Sequence, residues 1–154
     1  MIEKAKKIAA GIIGYRMYTC REVYDKLLKK GIDSEVAQEV VGEFQRAGVL
    51  DDRAYALAYA TDSVNLNGKG IYRIKQELYK KGIARSIIDE VCETLAENTF
   101  ASLCEYVESR NLCDGINTRY DLEKLKARLA RRGYSPSEIR ECLRQYTFDF
   151  KEED

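Results

Sequence analysis

Apolar residues recur along this chain at the three- and four-residue spacing of amphipathic helices. Ile71, Ile74 and Leu78 fall on one side of such a helix. Gly82 follows where that helix would end, and glycine suits the left-handed position that terminates a helix. No segment shows the alternation of apolar and polar positions, rich in β-branched residues, that is typical of strands. The pattern therefore predicts an all-α protein.

Start and stop signals divide the pattern into nine predicted helices. Thr19 and Ser135 each stand three residues before a glutamate, which is the capping-box signature of a helix N-terminus. Ser86 stands three residues before Asp89 and is interpreted in the same way. The predicted spans are 2–13, 19–30, 34–47, 52–65, 70–81, 86–97, 100–112, 119–132 and 136–147.

The chain also repeats itself. The sequence KKGI at 29–32 recurs at 80–83, and the related RRGY stands at 131–134, so the three glycines follow one another at intervals of 51 residues. Apolar positions keep the same register: Val23, Ile74 and Leu125; Leu27, Leu78 and Leu129; Val40, Val91 and Cys142; Phe44, Leu95 and Tyr146. We expect three tandem three-helix repeats in an elongated, curved array. The expected boundaries are 1–48, 49–98 and 99–150, followed by a disordered acidic tail at 151–154.

Composition limits the classes of function. The 154 residues are 45% apolar, which suffices for a core, and 26 basic residues balance 26 acidic ones. The chain contains no histidine, so it lacks the commonest general base and the commonest neutral metal ligand. The sequence contains neither a nucleophile motif nor a nucleotide-binding fingerprint. We therefore expect no enzyme activity, no cofactor and no metal.

The cysteines and the apolar stretches indicate the cellular compartment of the protein. None of the five cysteines forms a CxxC pair, and the N-terminal residues lack the apolar core of a signal peptide. No stretch approaches the ~20 continuous apolar residues that span a bilayer. We expect a reduced, cytoplasmic protein without membrane contact, in which Cys20, Cys92 and Cys142 pack as small apolar residues.

Charge is sorted along the chain even though the net charge is zero. Residues 1–31, 63–85 and 118–147 carry net charges of +5, +5 and +4, whereas 32–62 and 86–117 carry −5 and −6. The middle helix of each predicted repeat is basic, and the helices between the middle ones are acidic. An electrostatic function would therefore come from the distribution of charge and not from its sum.

The cations of the middle helices lie opposite the apolar stripes. Lys69, Arg73 and Lys80 project within about 40° of each other at the helical angle of roughly 100° per residue. In the third repeat the same face carries Lys124, Arg128 and Arg131, and the glycine turns add Lys81 and Arg132. We expect these cations to contact a partner protein or DNA. The alternative is that they form solvated faces, with the cations near helix C-termini favoured by the macrodipole.

Several stretches resemble the RecX family of bacterial recombinase regulators. They are GVLDDRAYA at 48–56 with Tyr59, then Gly70, RIKQEL at 73–78 and KGI at 81–83. The resemblance implies tandem three-helix repeats, binding to the RecA filament on single-stranded DNA, and modulation, usually inhibition, of RecA. It thus implies a non-enzymatic regulator, which we expect to be a monomer. Family members often carry arginines before the loop glycine, whereas residues 61–67 of this chain carry no positive charge.

Two other functions stay open at this stage. Three short helices with tight turns also resemble helix-turn-helix units, so the chain could bind DNA directly. Three similar basic columns would then favour phosphate contacts over the reading of bases. The second alternative is a general helical scaffold for another protein.

Some smaller motifs have structural interpretations. Asp51 and Asp52 are expected to cap the following helix, since a metal site needs more converging oxygen ligands. Tyr55 and Tyr59 are four residues apart and are expected to pack in the core with their hydroxyls at its edge. The acidic residues Asp89, Glu90, Glu93 and Glu97 are interpreted as a solvated face.

Overall fold

The computed structural model describes residues 1–151, which form eight helices and no strand. The helices are α1 Ile2–Ile13, α2 Cys20–Lys29, α3 Ser34–Arg46, α4 Asp52–Asn65, α5 Ile71–Lys80, α6 Arg85–Ser109, α7 Arg119–Arg131 and α8 Pro136–Leu143. The predicted all-α class is confirmed. The division into three repeats and the shape of their array stay predictions. Of the tail predicted at 151–154, the last three residues lie outside the described part of the chain.

The prediction of nine helices is wrong at one boundary. The helices expected at 86–97 and 100–112 are one helix, α6, because no glycine or proline interrupts the sequence between 86 and 109. Thr99, at the expected break, is buried, and its hydroxyl donates to the carbonyl of Ala96 one turn earlier. Ser86 is not a cap either. The helix begins at Arg85, and the carbonyl of Ala84 accepts the first helical hydrogen bond.

The other helix starts follow the sequence signals. Capping boxes are present at Thr19 and at Ser135, as predicted. Asp51 Oδ1 accepts from the N–H of Ala54 at 3.1 Å, which confirms its capping of α4. A further capping box at Thr118, with Asp121 as its acidic member, was not predicted.

The three repeated glycines end their helices in the same way. Gly31, Gly82 and Gly133 have φ angles of 85°, 84° and 103°, in the left-handed region. The N–H of the residue after each glycine bonds to the carbonyl five positions earlier, and the glycine N–H bonds to the carbonyl three positions earlier. This pattern is a Schellman motif. The predicted role of the glycines as helix-terminating residues is confirmed.

Met1–Tyr59 and Glu77–Val91 make up the first of two compact units. Helices α1, α2 and α3 pack together around a buried aliphatic core that consists of Ala5, Ala9, Val23, Leu27, Ile32, Ala37, Val40, Val41 and Leu50. The start of α2 is held from outside the helix. Thr19 Oγ1 donates to the carbonyl of Lys81 at 2.8 Å, and the N–H of Cys20 donates to Asp52 Oδ1 at 2.9 Å.

The second compact unit comprises Ala60–Gln76 and the chain from Cys92 onward. Its core consists of Leu103, Tyr106, Val107, Leu125, Leu129, Tyr134, Ile139, Cys142 and Leu143. The start of α5 meets the glycine turn after α7. The N–H of Gly70 donates to the carbonyl of Arg132 at 2.8 Å, and the N–H of Tyr72 donates to the carbonyl of Gly133 at 3.1 Å. A Cβ on Gly70 would lie 2.3 Å from the carbonyl carbon of Gly133, so only glycine fits there.

Thr19 and Gly70 therefore make equivalent contacts in the two units. They are 51 residues apart, and each lies at the start of a middle helix against the glycine turn of the next one along the chain. Thr19 makes the contact with its side chain, whereas Gly70 makes it with its backbone. The interval seen in the sequence thus recurs as a tertiary contact within each unit.

Candidate partner-binding site

The structure divides the eight predicted cations into two groups. Four are exposed, namely Lys80, Lys124, Arg128 and Arg131. Four are half-buried, namely Lys69, Arg73, Lys81 and Arg132, and the side chains of Lys81 and Arg132 bind other parts of the chain. The exposure of the predicted basic face is therefore not uniform, and the contact of these cations with a partner stays a prediction.

Lys81 is held inside the first unit. Its Nζ lies 3.7 Å from Glu22 Oε2 and sits 5.8 Å and 5.3 Å from the ring centres of Tyr55 and Tyr59. The centres of those two rings are 6.1 Å apart and the rings are stacked. Tyr55 is buried, so the predicted packing role of this pair is confirmed. Tyr59 Oη also donates to Glu77 Oε1 at 2.9 Å. Lys81 thus stabilises this unit and is only partly available to a partner.

Arg132 holds the corresponding place in the second unit. Its Nε donates to the carbonyl of Gly68 at 2.8 Å, and Nη2 donates to the carbonyl of Asn67. The guanidinium also lies 4.7 Å from the ring centre of Tyr106. Arg132 therefore fixes the loop before α5, which the sequence indicates only as a glycine-containing turn.

Lys69 and Arg73 flank the start of α5 and are half-buried. The N–H of Lys69 donates to the carbonyl of Ser63 at 3.0 Å. A Cβ built on Gly133 would lie 2.5 Å from the backbone nitrogen of Arg73, so Arg73 lies against the glycine turn. The backbone of Arg73 therefore leaves no room for a side chain at position 133.

The exposed cations are at helix ends. Lys80 is the last residue of α5 in the first unit, and Arg128 and Arg131 lie in the last turn of α7 in the second unit. Within residues 1–151, no ion pair holds these three side chains. Lys124 lies 5.5 Å from the ring centre of Tyr120. Lys80, Arg128 and Arg131 can therefore reach a partner without breaking an ion pair within residues 1–151, and Lys124 can reach one by leaving the Tyr120 ring.

Exposed tyrosines accompany the cations, and the sequence reasoning did not single them out. Tyr72 and Tyr79 on α5 are 58% and 68% exposed, and Tyr120 on α7 is 70% exposed. The signal was available, since Tyr72 and Tyr79 fall off the apolar stripe formed by Ile74 and Leu78. Aromatic rings beside cations can stack on bases or pack on a protein surface.

The thiols are arranged for packing. Burial, with a further contribution from Asp52, raises the pKa of Cys20 to about 12. Burial beside Cys104 raises the pKa of Cys142 to about 12. Cys92 and Cys142 are buried, as predicted, whereas Cys20 is half-buried. Cys20 and Cys142 therefore stay protonated at neutral pH and are poor nucleophiles.

The acidic residues give no metal site within residues 1–151, where no group of histidine, cysteine or carboxylate side chains could hold a metal ion. In the acidic stretch of α6, Glu90 pairs with Arg53 at 2.6 Å. None of the helices described is long and apolar enough to cross a membrane.

Comparison with protein families gives two matches. Residues 5–44 match the first three-helix domain of RecX, and residues 51–91 match its second three-helix domain. The first match covers most of α1 to α3, and the second covers α4, α5 and the start of α6.

Individual relatives extend the similarity over most of the chain. The chain is 32% identical over 149 residues to the regulatory protein RecX of Pelodictyon phaeoclathratiforme, covering 91% of this chain and 87% of that protein. It is 30% identical over 136 residues to the regulatory protein RecX of Geobacillus thermodenitrificans, covering 87% of this chain. The match covers 51% of the Geobacillus protein, so this chain spans about half the length of that relative.

Solved structures show the same fold. The crystal structure of RecX from Lactobacillus salivarius superposes with a TM-score of 0.80 at 26% identity, covering 94% of this chain and 95% of that one. A crystal structure described as regulatory protein RecX gives 0.81 at 25% identity, covering 94% and 72%. Sequence, domain pattern and fold agree, and the chain belongs to the RecX family of regulatory proteins.

Proposed function

We propose that this protein binds the filament that the RecA recombinase forms on single-stranded DNA and inhibits its recombination and ATPase activities. It acts as a regulator and not as an enzyme, and it works as a cytoplasmic monomer. Membership of the RecX family supports a regulatory role. The observation that carries the proposal is the pair Lys80 and Arg131, exposed cations at equivalent positions one interval apart.

The contact works mainly through charge. Lysine and arginine that approach a phosphate release condensed counterions, which favours binding without any reading of sequence. The acidic helices bring the net charge to zero, so the attraction is confined to the basic faces. The half-buried Lys69, Arg73, Lys81 and Arg132 contribute through the charge that remains exposed. Lys124 and Arg128 extend the contact on α7.

The test reverses the two equivalent cations, Lys80→Glu with Arg131→Glu. Neither side chain forms an ion pair with any residue from 1 to 151, so the folded state should persist. We expect the concentration needed for half-inhibition of RecA's DNA-dependent ATPase to rise by roughly tenfold or more, since two phosphate contacts become repulsive. Melting temperature measures the fold in parallel.

A matched control is available in the same chain. Arg46 and Arg140 are also exposed basic residues in the last turn of their helices, one in each unit. Arg46→Glu with Arg140→Glu carries the same charge change and a similar macrodipole cost. The proposal fails if the folded Lys80/Arg131 variant inhibits as well as the control variant at low salt.

Direct binding to single-stranded DNA is a second candidate, favoured by the exposed Tyr72, Tyr79 and Tyr120 beside the cations. Binding measured with RecA, DNA and ATP varied independently separates the two. Tight binding only when the filament is present supports the proposal. Equal binding to bare DNA supports the second candidate, and binding to neither leaves a general protein scaffold.

A further inference from the structure

Helices α1 and α2 of the first unit leave an open groove between them. The groove has a volume of about 520 Å³. Its lining residues are Lys7, Ile8, Gly11, Ile12, Tyr15, Tyr18, Lys26, Lys29 and Lys30. Lys29 shares a repeat column with Lys80 and Arg131, but the apolar floor has no part in the proposed filament contact.

The floor of the groove is apolar and includes a glycine, Gly11, which contributes no side chain. Ile8, Ile12 and Tyr18 are half-buried there, and Tyr15 at the end of the groove is 88% exposed. Gly11 lies inside α1, and a Cβ added to it would meet nothing within 4 Å. Neither backbone conformation nor packing requires glycine at this position, although glycine is a poor helix former. Its effect is to keep the groove open.

The rim of the groove is positive. Lys7, Lys26, Lys29 and Lys30 are all exposed, and none of them forms an ion pair within residues 1–151. Lys26 Nζ lies 5.5 Å from the ring centre of Tyr18. No carboxylate lines the groove. Four ammonium groups therefore surround an apolar surface, and no carboxylate in the described part of the chain neutralises them.

We infer that this groove binds an acidic peptide segment that carries large apolar side chains. The isoleucines and the space over Gly11 accept an apolar anchor, and the lysines on the rim accept flanking carboxylates. Lysine serves this purpose because it is a flexible point charge that does not demand a fixed geometry. A nucleic acid fits less well, since Ile8, Gly11 and Ile12 offer no side-chain donor or acceptor to a base edge. The proposal is independent of the filament contact.

The test uses a fluorescein-labelled peptide in which Glu and Asp alternate with Leu and Phe, and measures its fluorescence anisotropy with the full chain. We expect saturable binding. Gly11→Leu fills the groove and should raise the Kd by about tenfold, which is typical for loss of one buried anchor. Gly11→Ala is the matched control and should change the Kd by less than about threefold. Both variants should melt no lower than the native protein, because they replace glycine in a helix.

The rim is tested separately by Lys26→Gln with Lys29→Gln, which should also raise the Kd by about tenfold at low salt. A peptide with Ser in place of Leu and Phe should bind weakly. The Lys80→Glu, Arg131→Glu variant should bind the peptide normally, so failure of the filament proposal leaves this result untouched. The inference is overturned if the peptide does not bind, or if Gly11→Leu binds it as well as the native protein. It is also overturned if oligo-dT binds at least as tightly and is lost with the same variants.

Discussion

Tyr134 is the largest fully buried side chain in the described part of the chain, at 1% exposed. It follows the glycine turn at the position that isoleucine holds in the other two turns, so the repeat column accepts a polar hydroxyl here. That hydroxyl makes no hydrogen bond of normal geometry within residues 1–151, although Ser102 and Arg132 lie near enough to affect it. Burial raises the pKa of Tyr134 to about 12.

Tyr134→Phe should leave stability unchanged or raise it by about 1 kcal/mol at neutral pH, because it removes a buried polar group without a partner. The pKa of Tyr134 in the folded state lies above the ordinary value of 10, so folding favours the protonated phenol. The contribution of this preference to the free energy of unfolding is complete below pH 10. It is lost as the pH rises towards 12, by on the order of 2 kcal/mol. Urea denaturation of both proteins across this range measures the difference.

The native protein should lose more stability than Tyr134→Phe between pH 10 and 12. Cys20 and Cys142 also have raised pKa values and contribute to the alkaline loss, but they do so equally in both proteins. Parallel losses in the two proteins would mean that Tyr134 does not ionise differently in the folded and unfolded states.

At the scale of the helices and turns, two glycines with the same backbone conformation have different surroundings. Gly31 and Gly82 have φ angles of 85° and 84°. A Cβ on Gly31 would meet nothing within 4 Å, whereas a Cβ on Gly82 would lie 2.4 Å from the Arg21 side chain. The pair therefore separates the cost of the left-handed conformation from the cost of packing.

Gly31→Ala should lower the free energy of unfolding by about 1 kcal/mol, the cost of placing a Cβ in the left-handed region. Gly82→Ala should cost more, because Arg21 must move, and Gly82→Val should cost the most. Lys81→Ala should cost about 1 kcal/mol or less, from one partly exposed ion pair and two cation–π contacts. Chemical denaturation of the four variants tests this order. Equal losses for the two alanine variants would show that Arg21 moves without cost.

Local signals predicted most helix ends, but not the capping box at Thr118 or the continuous α6. The glycine turns and the capping boxes are set by neighbouring residues, so the sequence alone indicates them. The continuous α6 contains no glycine or proline between 86 and 109, and the hydroxyl of Thr99 at the expected break bonds to Glu138 Oε2 on α8 at 2.7 Å. That contact joins residues 39 apart in sequence, so the local pattern does not indicate it.

The same reason limits the prediction of the candidate site. Charge and periodicity identified Lys80 and Arg131 as exposed cations, and they are exposed. Lys81 and Arg132 carry the same local pattern but are half-buried, because Glu22 and Gly68 reach them from other helices and loops. Sequence position places a side chain on a helix face, whereas tertiary contacts decide whether that face is free.

For the whole molecule, the balance of 26 basic and 26 acidic residues conceals strong local fields. Part of the charge is used internally, as in the pair between Lys6 Nζ and Glu43 Oε2 at 3.0 Å. The exposed cations that are not paired in this way, Lys80 and Arg131 among them, are available for binding. Net charge is therefore a poor guide to how this protein responds to salt.

Inhibition of RecA's ATPase should weaken as salt rises, even though the net charge of the protein is zero. In a plot of log apparent affinity against log salt concentration, the slope should be smaller in magnitude by roughly 1 to 2 for the Lys80→Glu, Arg131→Glu variant, which loses two phosphate contacts. The native and variant curves should converge at high salt. Curves that stay parallel across the titration would place the charge-dependent contact elsewhere on the molecule.

The contacts at Thr19 and Gly70 imply an order in which the starts of α2 and α5 gain their tertiary contacts during synthesis. Thr19 can form its hydrogen bond only after Lys81, 62 residues later, has been synthesised. Gly70 can form its hydrogen bond only after Arg132, at the same separation, has been synthesised. As the chain leaves the ribosome from its N-terminal end, α2 can form early and can gain its contact with Asp52, but Thr19 gains the Lys81 carbonyl only when the next glycine turn has been made. The same delay then applies to α5. The starts of α2 and α5 are therefore each completed by a glycine turn translated later, and a chain terminated before residue 132 would leave the start of α5 without this contact.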